Sequence, residues 1–280
     1  MDRVVILGAG EVGGLLAHAL AGRAVAHDVC LVDEKPRVAE GKALDIMQAA
    51  PIEGFSTRVV GSSDMSIVGG ATAVVMADAF GGNEWQGDTA LAWLRRLRDF
   101  SPQSLVMCAG ASHRELIERG VRELQVPPAR LIGSAPEALV SGVRGIVAAE
   151  LRRSPSDVVI SALGVPPDHV VVAWEDATVG GFALHRLVNE PVRRKLEAAI
   201  ARLWPPGPYA LAAAAAKVLN GLLGRSDRLL TCFIAPDDVT GWRARASAMP
   251  VRLNRSGVIE VVLPELSGRD RVRLDNARLL

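Results

Sequence analysis

The sequence has no excess of charge of either sign and no long hydrophobic run. It carries 32 Lys and Arg against 31 Asp and Glu in 280 residues, a formal net charge of +1 at pH 7. Proteins that bind nucleic acid or membrane surfaces show a basic excess or a clustered basic face, so neither partner is predicted. No apolar run approaches the roughly 20 residues that span a bilayer, and no export signal is recognisable. These absences predict a cytoplasmic globular protein.

Cysteine is scarce, and several catalytic motifs are missing. Cys30, Cys108 and Cys232 lie in apolar, strand-like segments without C-x-x-C spacing, which predicts reduced, buried thiols. There is no H-E-x-x-H, no G-x-S-x-G, no P-loop and no metal-ligand spacing. The sequence therefore predicts no metal site.

A glycine-rich turn follows the first apolar segment. Gly8, Gly10 and Gly13 form a G-x-G-x-x-G pattern between a short strand-like run and a helix-like run. In this pattern the first glycine makes the turn, the second lets the backbone approach a pyrophosphate, and the third lets helix pack on strand. The amides that open the helix, including those of Glu11 and Val12, suit an anion, and the Glu11 side chain is expected to point to solvent.

An acidic residue closes the second apolar strand. Asp33 follows residues 29–32, where a carboxylate accepts hydrogen bonds from the two hydroxyls of an adenine ribose. A ribose phosphate would meet a like charge there, so the sequence favours NAD over NADP. A Rossmann fold whose pocket is vestigial stays open as the alternative.

Strand and helix signals alternate through the first half of the chain, which predicts a doubly wound parallel sheet of the α/β class. From about residue 134 the pattern changes to a longer helix, short strands and two further helices. We therefore predict a nucleotide-binding Rossmann domain over residues 1–134 and an α+β domain over residues 135–280. The predicted strands of the first half are 3–7, 28–32, 57–60, 73–76, 104–108 and 130–132. The elements predicted beyond it are a helix over 135–153, strands over 157–163 and 169–179, helices over 186–204 and 210–223, a strand cluster over 228–262 and a last helix capped by Ser267.

Together with the glycine turn and Asp33, the segments 41–46 (GKALDI) and 253–260 (LNRSGVIE) resemble the lactate/malate dehydrogenase superfamily, nearest its lactate-dehydrogenase-like malate dehydrogenases. The resemblance runs along almost the whole chain. It implies an α+β C-terminal domain of that family, NAD as cofactor, and assembly as a homodimer or homotetramer, with a paralogue as another possible partner. It also places Ala77 and Cys108, at the ends of the fourth and fifth strands, beside the cofactor.

The same resemblance implies a set of catalytic roles: a His base, an Asp that orients it, an Arg that clamps the substrate carboxylate and a loop Arg that polarises the carbonyl. Laid on this sequence without gaps, the family pattern puts Leu139 at the orienting Asp, Gly142 at the clamping Arg and Pro166 at the His. The loop 77–87 contains no arginine, and residues 108–111 lack the family's Asn-Pro pair. Aliphatic side chains neither exchange protons nor clamp carboxylates, so ordinary lactate or malate oxidation is not expected.

Weak replacements remain. His169, with Asp168 beside it, lies three positions after Pro166 and could approach the same site. Successive residues of a strand face opposite ways, however, so His169 is expected to face away from that site, and an exposed histidine at a strand end is the favoured interpretation. His113, followed by Arg114, lies after the fifth strand, where open α/β sheets hold ligands, but a pair at a helix start on a solvated surface is favoured.

Acidic residues also end strands near the expected pocket. Glu137 and Asp78 there disfavour an anionic substrate. Three hypotheses follow for the function: an NAD(H)-binding pseudoenzyme that senses or scaffolds, an oxidoreductase retuned to another substrate, and a working malate dehydrogenase that uses replacement residues.

Overall fold

The computed structural model describes residues 2–235 and 245–279. Its first half alternates strands and helices, which confirms the predicted fold class. The strands are β1 (Arg3–Leu7), β2 (Asp28–Val32), β3 (Arg58–Ser62), β4 (Ala73–Met76), β5 (Leu105–Cys108) and β6 (Leu131–Gly133). The helices are α1 (Glu11–Gly22), α2 (Pro36–Glu53), α3 (Gly87–Phe100) and α4 (Arg114–Leu124). All six strands pair in parallel in the order β3-β2-β1-β4-β5-β6, the order of a dinucleotide-binding sheet.

The second half extends the same sheet with antiparallel strands. Its helices are α5 (Ala135–Leu151), α6 (Glu190–Ile200), α7 (Pro208–Leu222) and α8 (Gly268–Leu279). Its strands are β7 (Val158–Val159), β8 (Ala162–Val165), β9 (His169–Val172), β10 (Thr178–Val179), β11 (Phe182–Ala183), β12 (Leu230–Ile234), β13 (Ser247–Asn254) and β14 (Gly257–Val261). The large sheet continues as β6-β12-β13-β8-β9, β14 pairs with β13, and β11-β10-β7 form a small separate sheet.

Three predicted elements need correction. The predicted strands 157–163 and 169–179 each divide in two, because their first and second parts pair in different sheets: β7 and β10 with each other, β8 and β9 with each other. The helix predicted over 186–204 begins only at Glu190, since the Asn189 side chain caps it by accepting from Val192 N at 3.1 Å. Within the strand cluster predicted over 228–262, residues 236–244 lie outside the described part.

The central strands of the sheet are apolar along their whole length and are buried. β4 and β5 are buried along their whole length, as expected where helices cover both faces of a parallel sheet. The main apolar cluster draws on both halves of the chain, and a second cluster lies around α5 and α6. The boundary at residue 134 stays a prediction. Because parallel strands end at one edge, the residues that follow β1, β2, β4 and β5 meet there, and this edge positions the site.

No helix among the described residues is long and apolar enough to cross a membrane. In the same parts of the chain, no group of three or more His, Cys, Asp or Glu side chains is arranged to hold a metal ion. The predicted cap of the last helix is confirmed, because Ser267 Oγ accepts from Asp270 N at 3.2 Å.

Candidate functional site

The glycine turn connects β1 to α1 as predicted. Gly8 has φ +99°, a conformation that favours glycine, and a Cβ there would collide with the backbone of Asp78. A Cβ at Gly10 would collide with the Asp78 carboxylate instead. Both glycines therefore make room for Asp78, which lies two positions after the last residue of β4.

The carboxylate of Asp78 lies at the N-terminus of α1. Its Oδ2 accepts from Glu11 N at 2.8 Å and from Val12 N at 3.2 Å, and its Oδ1 accepts from Gly13 N at 2.9 Å. Asp78 is 8% exposed. The amides and the positive end of the helix dipole attract an anion, and in this structure that anion is a side chain of the same protein. The Glu11 side chain is exposed, as predicted.

Asp33 is buried at the end of β2 and accepts three backbone hydrogen bonds. The donors are Ala9 N at 2.8 Å, Lys35 N at 3.0 Å and Phe80 N at 3.1 Å. Two of them fix the glycine turn and the start of α2. The third, Phe80 N, belongs to the segment after β4, so this segment contacts the acceptor that was predicted for ribose.

Residues 77–86, which we call the β4 loop, cross the C-terminal edge of the sheet. Lys35 Nζ lies 5.3 Å and Lys42 Nζ 5.8 Å from the centre of the Phe80 ring, distances at which a cation attracts an aromatic face. Lys35 Nζ also donates to Phe80 O at 3.2 Å, and Lys42 Nζ donates to Gly10 O. Ala77, which opens the loop, is buried.

The far end of the β4 loop is held at a second helix N-terminus. Glu84 accepts from Ala111 N at 2.8 Å and from Ser112 N at 2.7 Å, in the turn that leads into α4. Asp78 and Glu84 also form an isolated antiparallel bridge with each other. The loop therefore carries two carboxylates, and each satisfies backbone amides at the end of a different strand.

His113 is completely buried, so the prediction of a solvated helix-start pair is wrong. Its Nδ1 accepts from Gly110 N at 3.1 Å, which leaves the proton on Nε2, and Nε2 has no hydrogen-bond partner among the described residues. Burial lowers the pKa of His113 below its ordinary 6.5, although the Glu84 carboxylate, the backbone of Trp85 and the Asp78 carboxylate act in the opposite direction. The imidazole is therefore neutral at neutral pH.

Arg114 does not extend freely into solvent either. It pairs with Glu118 at 2.8 Å and contacts Ala246 O. Burial raises the pKa of Glu118, and the charge of Arg114 opposes the increase.

The three positions that the resemblance assigns to catalytic side chains carry no polar side chain; Leu139 and Pro166 are buried, and Gly142 is partly exposed. Leu139 is 3% exposed and belongs to the second apolar cluster. A Cβ at Gly142 would lie 3.0 Å from Leu203 Cδ1, so a side chain at this position would contact Leu203. Pro166 is buried at the end of β8. These residues offer neither a proton donor nor a charge.

An open cavity of about 610 Å³ lies beside Gly142, between α5 and α7. Glu137 lines it and is 2% exposed; it accepts from Lys217 Nζ at 2.5 Å and from Thr231 N at 2.8 Å. Arg144 Nη1 lies 3.9 Å from the same carboxylate. Two cations thus lie near Glu137, and the effect of its charge on an anionic ligand stays a prediction.

The remaining candidates do not gather at the sheet edge. Asp168 and His169 are exposed where β8 turns into β9, and neither bonds to a residue of the β4 loop or the glycine turn in the described chain. His18 pairs with Glu53 and His27 with Asp28, both at the surface. These histidines have structural surroundings.

The three cysteines are unpaired and buried, as predicted. Burial raises the pKa of Cys108, at the end of β5, to about 12, and that of Cys30 to about 11. Burial raises the pKa of Cys232 as well. All three are therefore neutral thiols at neutral pH and poor nucleophiles.

Comparison with known proteins finds relatives that match most of the chain. Residues 2–86 match the family described as lactate/malate dehydrogenase, NAD binding domain. The chain is 28% identical to a malate dehydrogenase of Thermomicrobium roseum, over 97% of this chain and 93% of the relative. A malate dehydrogenase structure from Salinibacter ruber superposes with a TM-score of 0.86 at 26% identity, covering 98% of this chain and 93% of that one.

A lactate dehydrogenase from Cryptosporidium parvum, solved with lactic acid and nicotinamide adenine dinucleotide, has the same fold. Its TM-score is 0.88 at 20% identity, with 99% of this chain and 94% of that chain covered. The likeness therefore extends over both halves of the molecule.

Proposed function

We propose that the chain is an NAD(H)-binding member of the lactate/malate dehydrogenase superfamily without ordinary 2-hydroxy-acid dehydrogenase activity. It would act either as a pseudoenzyme that senses or scaffolds, or on a divergent substrate. Its N-terminal part is an NAD-binding domain of that superfamily. Bound NAD supplies a nicotinamide ring that accepts or donates a hydride.

The residue types of the nucleotide half fit this cofactor. The turn from Gly8 to Gly13 would hold the pyrophosphate, and Asp33 would hold the adenine ribose. The α1 amides, however, are bound to Asp78. The donors are thus of the required kind, but they are already paired within the protein.

One observation carries the proposed loss of ordinary activity: Leu203 packs against Gly142, where the family would place the arginine that clamps a substrate carboxylate. A bidentate guanidinium is the best holder of a planar carboxylate, and neither glycine nor leucine has a group that can hold one. Leu139 and Pro166 likewise support a site without a histidine base and its orienting carboxylate. A missing general base alone lowers rates by about a hundredfold to ten-thousandfold.

Two measurements test the proposal. Titration calorimetry with NAD⁺ and NADH is expected to detect binding, and NADH absorbance with oxaloacetate or pyruvate is expected to show no turnover at ordinary enzyme rates, which are about 1–1,000 per second. A panel of aldehydes and ketones then separates a retuned oxidoreductase from a pseudoenzyme. Turnover of oxaloacetate at ordinary rates would overturn the proposal, and so would the absence of binding at millimolar NAD⁺ and NADH.

A working NAD-dependent malate dehydrogenase is the second candidate. The observation in its favour is that relatives named malate dehydrogenase match 97% or more of the chain. His113 would then replace the family's histidine by donating the Nε2 proton to the substrate carbonyl, since it is a buried histidine beside the sheet edge and its Nε2 has no hydrogen-bond partner among the described residues. If oxaloacetate is reduced, His113→Asn should abolish that turnover, whereas the exposed His169→Asn should not.

We also propose a cytoplasmic homodimer or homotetramer, or an assembly with a paralogue that has a complete site. Buried, unpaired cysteines support a reducing compartment. Light scattering on the purified protein, alone and after co-purification from its own cells, would give the assembly size and show any second chain.

A further inference from the structure

We infer that Asp78 is an internal competitor of the dinucleotide. Its carboxylate holds the amides that a pyrophosphate would bind, so NAD enters only when Asp78 leaves, and this residue sets the affinity of the site. The inference rests on the NAD-binding part of the proposed function.

The first step of the argument is that the donors are shared. Asp78 takes hydrogen bonds from the first three residues of α1, at 2.8, 3.2 and 2.9 Å. A phosphate at a glycine-rich turn uses the same helix N-terminus. Two anions cannot occupy these amides together, because they would repel at short range with a single set of donors between them.

The second step is that the loop is built to stay in place. Asp33 accepts from Phe80 N, Glu84 accepts from Ala111 N and Ser112 N, and the Phe80 ring lies beside Lys35 and Lys42. These contacts join the segments that follow β2, β4 and β5. The position of Asp78 is thus supported on both sides, and its contact with α1 does not rest on one exposed side chain.

The third step is that the glycine turn matches this occupant closely. A side chain at Gly10 would collide with the Asp78 carboxylate, and one at Gly8 would collide with its backbone. In a dinucleotide-binding turn, the glycines leave space for a phosphate. Here that space holds the carboxylate of Asp78, which follows β4, the strand beside β1 in the sheet.

The consequence is a ligand-specific penalty. The apparent dissociation constant of NAD⁺ equals the intrinsic constant divided by the fraction of molecules in which Asp78 has left the amides. Asp78→Asn keeps the side-chain shape but removes the competing charge, so we expect NAD⁺ and ADP to bind at least about tenfold more tightly. Adenosine, which has no phosphate, should gain far less.

The experiment compares the two ligands on matched variants. Calorimetric titrations of ADP, NAD⁺ and adenosine are run at one salt concentration on the wild-type chain, on Asp78→Asn and on Asp64→Asn. Asp64 is the control, because it is also an aspartate that caps a short helical turn, accepting from Ser66 N at 2.8 Å, but at an exposed surface site. Asp78→Ala replaces Asp78→Asn if circular dichroism shows that the latter does not fold.

A gain for ADP and NAD⁺ that exceeds the gain for adenosine by about tenfold, with Asp64→Asn unchanged, supports the inference. Unchanged NAD⁺ affinity in the Asp78 variant, or an equal gain for all three ligands, overturns it while leaving NAD binding intact. If neither the wild type nor the variant binds any of the ligands, both the inference and the proposed function fail.

Discussion

The proposed nucleotide half of the site and the proposed catalytic half differ in how their residues depart from the pattern that the resemblance implies. In the nucleotide half the binding groups are present, and the protein's own Asp78 and Phe80 engage them. In the half where the resemblance implies catalytic side chains, Leu139, Gly142 and Pro166 are not polar; Leu139 and Pro166 are buried, and Gly142 lies against Leu203.

The two departures have different physical consequences. Hydrogen bonds exchange, so a carboxylate on helix amides can give way to a phosphate at a limited free-energy cost. Apolar packing is close to crystal density, so a filled position cannot take back a charged side chain without repacking. We therefore expect the nucleotide half to respond to single substitutions by binding more or less tightly, and the catalytic half to respond by losing stability.

The largest effect is expected for Asp33→Ala. The change leaves three backbone amides without their buried acceptor, so the free energy of unfolding should fall by about 3–5 kcal/mol, and adenosine binding should be lost. Urea unfolding with circular dichroism measures the first effect. Glu34→Ala is the matched control, since Glu34 is exposed beside it, and it should change stability by less than about 0.5 kcal/mol. Equal losses in the two variants would mean that the Asp33 hydrogen bonds are not holding the cleft together.

Gly142→Arg tests the catalytic half. Its Cβ would lie 3.0 Å from Leu203 Cδ1, which would have to shift, so this variant should be less stable than Gly145→Arg by about 1–3 kcal/mol. Gly145 is on the same helix, and a Cβ there meets nothing within 4 Å. Both variants gain the same helix propensity, so their difference isolates the packing.

Gly142→Arg should also remain inactive with oxaloacetate, because Pro166 supplies no base. Unimpaired stability together with measurable turnover would show that the catalytic half still accepts charge and that the two halves are alike.

The sequence predicted what depends on local pattern. The parallel sheet follows from continuous apolar strands, the turn from Gly8 and Gly10, and the position of Asp33 from the end of β2. The helix caps at Ser267 and Asn189 also have local sequence signatures, and the sequence analysis predicts the cap at Ser267.

The sequence did not predict what depends on the path of a loop. Asp78 bonds to amides of α1 that are 65–67 residues away in the sequence, and Glu84 bonds to amides before α4 that are 27–28 residues away. Its position at the end of β4 marked Asp78 as near the pocket, but no local pattern shows which amides a carboxylate reaches. The burial of His113 was missed for the same reason, because the β4 loop that covers it comes from an earlier part of the chain.

Glu84→Gln is expected to have a moderate effect. The neutral amide keeps the shape of the side chain but weakens charge-assisted bonds to Ala111 N and Ser112 N, which should cost about 1–2 kcal/mol of stability. It should also raise NAD⁺ affinity, though less than Asp78→Asn, because Glu84 does not occupy the α1 amides. Thermal unfolding and calorimetry measure the two effects. If Glu84→Gln raises the affinity as much as Asp78→Asn does, release of the whole loop, rather than of one carboxylate, controls entry.

The smallest effect concerns pH and His113. Burial holds the pKa of the folded imidazole below the value of 6.5 that it has when unfolded, so below about pH 6.5 the unfolded chain binds a proton that the folded chain does not. Stability that is complete above pH 6.5 should therefore fall as the pH decreases, by at most about 1.4 kcal/mol per pH unit from this group.

The measurement is urea unfolding at pH 7.5 and 5.5 for the wild type, His113→Asn and the exposed control His169→Asn. Asparagine keeps an acceptor for Gly110 N but does not titrate, so the loss between the two pH values should be smaller by about 1 kcal/mol in His113→Asn only. An identical pH dependence in all three proteins would mean that acid reaches this imidazole in the folded state. The sheet edge under the β4 loop would then be open to solvent. In that case the β4 loop would not close the nucleotide half, and the comparison between the two halves would be weaker.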